Sequence, residues 1–248
     1  MSMATVIHMD KCMPTDAVPT GLWPSEQALA QLRLMQLISP ALPIGGFAYS
    51  QGIEYAVEVG WVCDITSLQD WLSGLLDNNI AYLEVPLLAR LYDACGARDK
   101  EAIEKWARYA QATRETSELR FEEVQRARAL TRLLIDLDVQ NADDYRPALL
   151  HCQAAPYALA VVNWGIRLPE AALGYVWSWL ENMVAAAIRL VPLGQTDGQR
   201  VQMALAKTVS ATVQCGLSLS DEQIGASAPA MAIASSLHET QYTRLFRS

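Results

Sequence analysis

Residues 39–55 read Ser-Pro-Ala-Leu-Pro-Ile-Gly-Gly-Phe-Ala-Tyr-Ser-Gln-Gly-Ile-Glu-Tyr and separate two apolar segments with helical spacing. Pro40 and Pro43 fix φ and each removes a backbone donor, whereas Gly45 and Gly46 permit positive φ. This combination predicts a shaped, non-helical loop between two helices. A loop so strongly specified serves either tight packing or contact with another molecule.

A helix begins where this loop ends. Tyr49, Ser50 and Gln51 lead into it, and Gly52 completes the structural loop. We interpret Ser50 as the N-cap, because a serine hydroxyl accepts a hydrogen bond from the first turn. The alternative is a catalytic serine, since Ala48–Gly52 differs by one residue from the Gly-x-Ser-x-Gly elbow of serine hydrolases. That elbow needs a strand before the serine, and a Pro/Gly loop stands there instead.

Beyond the loop, the apolar residues keep helical spacing almost throughout. One stripe falls at i, i+3, i+4, i+7 and i+8: Leu68, Trp71, Leu72, Leu75 and Leu76. Thr66 and Gln69 predict a capping box at the start of this helix. Strand-like alternation rich in β-branched residues is nearly absent. The chain is therefore predicted to be all-α, a single-domain bundle of roughly eight to ten helices.

The segment from Pro169 to Val191 is apolar almost all round. A helix without a clear polar face is typical of the centre of a bundle. Pro192 and Gly194 end this helix, and Thr196 or Asp197 is the predicted cap of the next one.

Composition narrows the classes of function. The 248 residues are 52% hydrophobic and carry a net charge of −8. The apolar excess predicts a large core together with apolar surface for partners. An acidic chain without a basic run is poorly suited to nucleic acid. The longest stretch without Asp, Glu, Lys or Arg, residues 147–166, still carries polar side chains, so we expect no membrane span.

Five widely spaced cysteines without a Cys-x-x-Cys pair indicate reduced thiols in a cytoplasmic protein. Residues 1–24 show neither helical period nor secretory signal, so we predict a flexible N-terminal extension. Within it, His8 and Cys12 flank Asp10. We interpret them as chance ligands in a tail rather than as a metal site.

Motifs that carry chemistry are incomplete in this sequence. His238-Glu239 begins like the His-Glu-x-x-His motif of zinc proteases, but Tyr242 stands where the second histidine belongs. No phosphate-binding Gly-x-x-x-x-Gly-Lys-Ser/Thr sequence occurs. The charge-rich segment 98–132 is predicted to be a solvated helix face with i,i+4 pairs, with a partner surface as the alternative. We therefore expect no catalytic residue, cofactor or metal site.

The segment from His238 to Ser248 has a different character. Apolar and basic side chains alternate along it: Tyr242, Arg244, Leu245, Phe246 and Arg247. Chain ends usually fray, but aromatic and arginine side chains are the composition of an interface anchor. Docking to a partner and packing on the chain's own bundle both remain open for this tail.

Five segments together resemble the UreF family of urease accessory proteins. They are residues 34–54, 56–61, 114–120, 190–195 and 238–248, in order and with matching gaps. The first and last are specific, since neither belongs to a generic helical bundle. The resemblance begins near Leu32 and runs to Ser248. It predicts a UreF-like domain over residues 25–248 that ends in a docking tail.

The resemblance implies a non-enzymatic maturation factor without a cofactor of its own. Members of the family are all-helical homodimers that bind the accessory protein UreD, called UreH in some bacteria. They then recruit the GTPase UreG, and the assembly delivers nickel to apo-urease. A genuine GTPase-activating role is an alternative, with Arg244, Arg247 or an arginine of segment 114–128 entering the GTP site of UreG.

The motifs also carry residue roles across. The resemblance implies that Tyr49, Ser50, Gln51 and Glu54 lie near the surface that faces UreD. It further implies that the tail becomes ordered on that partner through His238, Gln241, Tyr242, Arg244, Leu245 and Phe246. We hypothesise that Arg244 anchors the tail against the loop around Tyr49.

Overall fold

Helices account for most of the backbone in a computed structural model of the chain, which describes residues 25–225 and 227–248. The described residues contain no β-strand. The α-helices are α1 Ser25–Leu37, α2 Ile53–Glu58, α3 Ile65–Leu75, α4 Val85–Ala97, α5 Lys100–Ala112, α6 Ser117–Asp136, the single turn α7 Arg146–Leu149, α8 Ala154–Asn163, α9 Leu168–Leu190, α10 Gln195–Ser218 and α11 Pro229–His238. The predicted all-α, single-domain bundle is confirmed. The extension 1–24, with His8, Asp10 and Cys12, lies outside the described residues.

A π-helical segment, Leu76–Glu84, joins α3 to α4 without a loop. The backbone stays right-handed helical at both junctions, so the three elements form one continuous rod. π-Helical geometry is rare and often marks functional sites, because its wider turn changes which side chains face inwards. Here it buries the polar side chains of Asn79 and Glu84.

The core is organised around α8 and α9. All of residues 154–161 on α8 are buried, and α9 contacts α1, α2, α3, α4 and α10. The predicted central position of the apolar segment from Pro169 to Val191 is therefore confirmed. Of the described helices, none combines the length and apolar character needed to cross a lipid bilayer.

Close packing of α10 against the rod depends on Gly216. A Cβ atom at this position would lie 2.6 Å from Cβ of Val85 and 2.8 Å from the carbonyl oxygen of Ala81. Only a residue without a side chain allows the two backbones to approach so closely.

Two helix caps differ from the prediction. The capping box of α3 is formed by Asp64 and Ser67, two residues earlier than the predicted Thr66 and Gln69. Asp64 prevails because its own backbone is extended, with φ of −150° and ψ of −177°, so its carboxylate can accept from the Ser67 N–H at 2.8 Å.

The predicted caps of α10 also need correction. Gly194 occupies the N-cap position instead of Thr196 or Asp197. Asp197 lies one turn inside the helix, and its carboxylate reaches back to the Gly194 N–H at 3.3 Å. It therefore supports the helix start without being the cap itself.

Candidate functional site

The loop of residues 39–52 contains a short 3₁₀ turn, Gly46–Ala48, so it is less irregular than predicted. Pro40 and Pro43 are exposed in it. Gly45 takes φ of 72°, as predicted, whereas Gly46 has no positive φ and Gly52 takes φ of 85° instead. Gly52 also lies against α11, where a Cβ atom would come within 2.9 Å of the Ser235 backbone nitrogen.

Ser50 is not the N-cap, because α2 begins at Ile53 and Gly52 holds the N-cap position. The Ser50 side chain is completely buried. Its hydroxyl donates to the carbonyl oxygen of Ser248 at 2.5 Å, and its backbone N–H donates to the same oxygen at 2.8 Å. No histidine is among its described partners, so the geometry of a catalytic serine is not formed.

Gln51 connects the loop to the interior. Its φ of 51° lies in the left-handed region, which is uncommon for a residue with a Cβ atom. Its side-chain oxygen accepts from Trp179 Nε1 at 2.9 Å, and its amide donates to Glu122 at 2.9 Å. These two bonds hold Gln51 in the strained conformation, a combination that clusters at functional sites.

Glu54 on α2 binds the tail main chain. One carboxylate oxygen accepts from the Leu245 N–H at 2.5 Å. The other accepts from the Phe246 N–H at 2.9 Å and lies 3.0 Å from His238 Nε2. A buried carboxylate is costly unless several donors compensate it, and the tail supplies two of them here.

His238, the last residue of α11, is completely buried between two carboxylates. Nε2 faces Glu54 at 3.0 Å, and Nδ1 faces Glu118 of α6 at 2.7 Å. Each ring nitrogen is thus within hydrogen-bonding distance of a carboxylate oxygen. The ring therefore joins α2, α6 and α11.

The hypothesis that Arg244 anchors the tail against the loop around Tyr49 is wrong. Its guanidinium donates to the free oxygen of Glu118 at 2.6 Å. Instead, main-chain groups make the contact between tail and loop, since the Arg247 N–H donates to the Ala48 carbonyl oxygen at 2.9 Å. Sequence reasoning found the meeting of tail and loop but assigned it to the wrong atoms.

The tail packs on its own bundle without a partner being present. Phe246 is buried beneath the guanidinium of Arg189, which lies 4.8 Å from the ring centre. The Ser248 hydroxyl donates to Glu122 at 3.0 Å. The order that we expected a partner to impose is thus available from the chain's own contacts.

Other tail side chains point outwards. Tyr242 is fully exposed and Leu245 is half exposed, whereas Gln241 folds back to donate to the Thr243 carbonyl oxygen at 3.1 Å. Ile233 and Leu237 are also exposed, one turn apart on α11. We call the outward side chains of Ile233, Leu237, Tyr242 and Leu245 the tail face.

A buried cluster of charges lies beneath the loop, so the predicted solvated face of segment 98–132 is wrong in part. The Arg114 guanidinium binds both Glu84 and Glu123, the latter at 2.6 Å. Arg126 pairs with Glu122 at 2.9 Å. The i,i+4 spacing of Glu122 and Arg126 was visible in the sequence, but the burial of this pair is a property of the tertiary fold.

The electrostatics of this cluster follow from its burial. Burial raises the pKa of Glu122, although Arg126 and the amide of Gln51 oppose the shift. Burial disfavours the charged form of Arg114, yet Glu123 and Glu84 together raise its pKa well above the ordinary value. The cluster is therefore held together by mutual charge compensation.

A cavity of about 30 Å³ adjoins the cluster and is lined by Gln51, Glu84, Arg114, Glu122 and Arg126, among others. The Nε atoms of Arg114 and Arg126 are buried and have no partner among the described residues. A cavity of this volume is large enough for one water molecule, whose oxygen can accept from donors of this kind. Elsewhere in the described residues, no three His, Cys, Asp or Glu side chains converge as metal ligands.

Comparison with known proteins identifies the family. A sequence model described as UreF matches residues 62–206, more than half of the chain. The chain belongs to the UreF family. The UreF resemblance stated from the sequence is thereby confirmed at the level of the family, and family membership supports a role in urease maturation.

Individual members of the UreF family are similar over nearly their whole length. The urease accessory protein UreF of Alcanivorax borkumensis is 52% identical over 88% of this chain and 98% of its own. That of Alkalilimnicola ehrlichii is 50% identical over 89% and 96%. That of Teredinibacter turnerae is 44% identical over 88% and 98%.

Proposed function

We propose that the chain is a non-enzymatic scaffold for urease maturation in the cytoplasm. In this proposal a homodimer binds UreD/UreH through the tail face and recruits the GTPase UreG. The assembly then inserts nickel into apo-urease, and the chain modulates GTP hydrolysis by UreG. Nickel is the cargo of this process rather than a resident cofactor.

The observation that carries the proposal is the way the tail is held. Glu54 and Ser50 bind the main chain of the tail, so the backbone groups bound in this way face the chain's own bundle and not a partner. Tyr242 and Leu245 therefore project outwards from a fixed support. A surface that is ordered before binding loses less conformational entropy in a complex, and an exposed tyrosine beside aliphatic side chains is typical of interface anchors.

The test is a surface change that leaves the tail's internal contacts intact. We expect Tyr242→Ser with Leu245→Ser to lose UreD/UreH binding and to abolish urease activation in a host that lacks its own UreF. Met203→Ser, an equally exposed apolar position on α10, is the matched control and should activate urease normally. Normal UreD/UreH binding by the tail-face double variant would exclude the tail face as the docking surface.

Burial and ion pairing reduce the number of arginines that could act as a GTPase-activating residue. Arg114 and Arg126 are buried in ion pairs, and Arg244 is paired with Glu118. Arg128 and Arg247 have exposed side chains, and both remain candidates for insertion into the GTP site of UreG; Arg247 is tested first because it lies beside the tail face. GTP turnover by UreG with UreD/UreH present should then fall at least about tenfold for Arg247→Ala but not for the exposed Arg132→Ala. Equal turnover with and without the chain would remove this alternative.

A further inference from the structure

The segment from Leu34 to Ala89 contains six carboxylates and not one lysine, arginine or histidine. Two of the six, Glu54 and Glu84, are buried in the contacts described above. The remaining four are exposed: Glu58, Asp64, Asp70 and Asp77. Among the described residues, none of these four is in an ion pair. The outer side of α2 and α3 is therefore a surface of uncompensated negative charge.

Aromatic rings run across the same surface. The Tyr55 and Trp61 rings meet edge to face with centroids 6.2 Å apart, and the Trp61 and Trp71 centroids are 6.3 Å apart. Trp61 is 45% exposed, and the neighbouring Val59 is also exposed. Exposed apolar side chains that lie side by side, unlike single scattered ones, are typical of interaction sites.

A cavity of about 330 Å³ opens at the Trp71 end of this row. Asp70, Trp71 and Asn78 line one wall, and Ser227 with the first turn of α11 lines the other. Its volume is that of a pocket for a single large side chain or a small ligand. Asp70 places a negative charge at the wall next to an indole ring.

We propose that this acidic aromatic surface binds a protein segment through an inserted arginine. A guanidinium stacks on an indole ring and donates to a carboxylate at the same time, which the more strongly hydrated lysine ammonium does less well. Trp71 and Asp70 offer these two partners at one cavity. Glu58, Asp64 and Asp77 attract further positive charge on the same segment.

The occupant is a protein segment because the contact area extends beyond the cavity. Trp61, Tyr55 and Val59 form an apolar rim that a free arginine could not cover. This surface adjoins the first turn of α11, whereas Tyr242 and Leu245 of the tail face follow His238, the last residue of that helix. The ten residues of α11 span about 15 Å between that first turn and His238. The inference does not depend on the proposed function.

The test uses the full chain and a defined probe, the blocked peptide Gly-Arg-Gly. Trp61 and Trp71 indole N–H resonances, assigned with Trp61→Phe and Trp71→Phe, report binding by nuclear magnetic resonance. We expect a saturable shift of both resonances with a dissociation constant of about 1–10 mM, a range normal for one anchored side chain. The peptide with citrulline in place of arginine, which has the same shape without the charge, should shift neither.

A substitution of Asp70 distinguishes peptide binding at this cavity from general attraction to a negatively charged surface. Asp70→Asn should weaken peptide binding at least about fivefold, whereas Glu101→Gln, an exposed carboxylate on α5, should leave it unchanged. The proposal is overturned by an equal shift with citrulline, by unchanged binding to Asp70→Asn, or by no shift at about 20 mM peptide.

Discussion

At the scale of single residues, buried charges decide how the tail is held. Glu54 accepts from two tail N–H groups and from His238, and it is almost fully buried. A charge in such a place stabilises the fold only while all its donors remain, because an unpaired buried charge is strongly destabilising. We therefore expect the hydrogen bonds that Glu54 of α2 accepts from the tail and from His238 to form and break together.

Glu54→Gln tests this arrangement with almost no change in shape. The amide nitrogen of glutamine cannot accept a hydrogen bond, so at least one of the three donors that face Glu54 loses its acceptor. We expect the free energy of unfolding to fall by about 3 kcal/mol, measured by urea denaturation. Glu58→Gln, an exposed residue of the same helix, is the control and should unfold like the unmodified chain. Equal stability of the two variants would contradict the arrangement.

Glu122 makes the stability of the protein depend on pH. Burial raises its pKa in the folded state above the ordinary glutamate value of 4.5. At pH values between the ordinary pKa of glutamate and the raised pKa of Glu122 in the folded state, the folded chain binds more protons than the unfolded chain. The contribution of Glu122 to stability therefore falls as pH rises through this range.

Glu122→Gln removes that titration and keeps the acceptor for Arg126. The stability of this variant relative to the unmodified chain should therefore increase from about pH 5 to pH 8, as followed by urea denaturation at several pH values. A stability difference that stays constant across this range would show that Glu122 does not titrate abnormally.

The thiols differ in reactivity because they differ in burial. Burial raises the pKa of Cys95 to about 12 and shifts that of Cys152 further in the same direction, whereas Cys63 is exposed. The thiolate is the reactive species, so N-ethylmaleimide should label Cys63 quickly and leave Cys95 and Cys152 unlabelled until urea is added. Peptide mass spectrometry reads out each site. Rapid labelling of Cys152 in the folded chain would be incompatible with its buried position.

At the scale of elements, the sequence predicted the helices far better than their junctions. Apolar spacing located α3 and α9, because a period of 3.6 residues is a local property. The π-helical segment was not predicted, because its residues have no distinct periodicity and its close contact with α10 at Gly216 joins residues far apart in the chain. The same segment brings Glu84 inwards, so the buried partners of Arg114 could not be found from spacing along α6 alone.

Two glycines provide a matched test of this packing. Gly216→Ala places a methyl group against Val85 and the Ala81 carbonyl group, so we expect a loss of about 1–3 kcal/mol in unfolding free energy. Gly96→Ala, where no atom lies within 4 Å of the added methyl, should instead stabilise the chain by up to about 1 kcal/mol through helix propensity. Thermal or urea unfolding distinguishes the two. Similar stabilisation by both would mean that α10 does not approach the rod closely.

At the scale of the whole molecule, loop and tail form one unit although they lie at opposite ends of the described chain. The sequence indicated both as unusual, since prolines, glycines and aromatic residues are visible without a structure. It could not indicate Glu118 or Glu122 as their supports, because those contacts join residues more than a hundred positions apart. Such pairings are a property of the tertiary fold.

Hydrogen exchange measures the cohesion of this unit. The Ser50 N–H should be protected in the full chain because it donates to Ser248, and a variant without residues 244–248 should lose that protection by at least about tenfold. The internal control is the Val62 N–H, which lies beyond the C-terminal end of α2 and donates to the Ala56 carbonyl oxygen. It should keep its protection in the shortened variant. Undiminished protection at Ser50 in the shortened variant would argue that the tail is not its partner.

The bond between Ser50 and Ser248 spans 198 positions in the chain. During synthesis at about 5–20 residues per second, Ser248 is added roughly 10–40 s after Ser50. Throughout that interval the nascent polypeptide exposes the main-chain and carboxylate groups that the tail will later cover. The ribosome must therefore deliver nearly the whole chain before the surface around α2 can close, and chaperones have that time in which to recognise it.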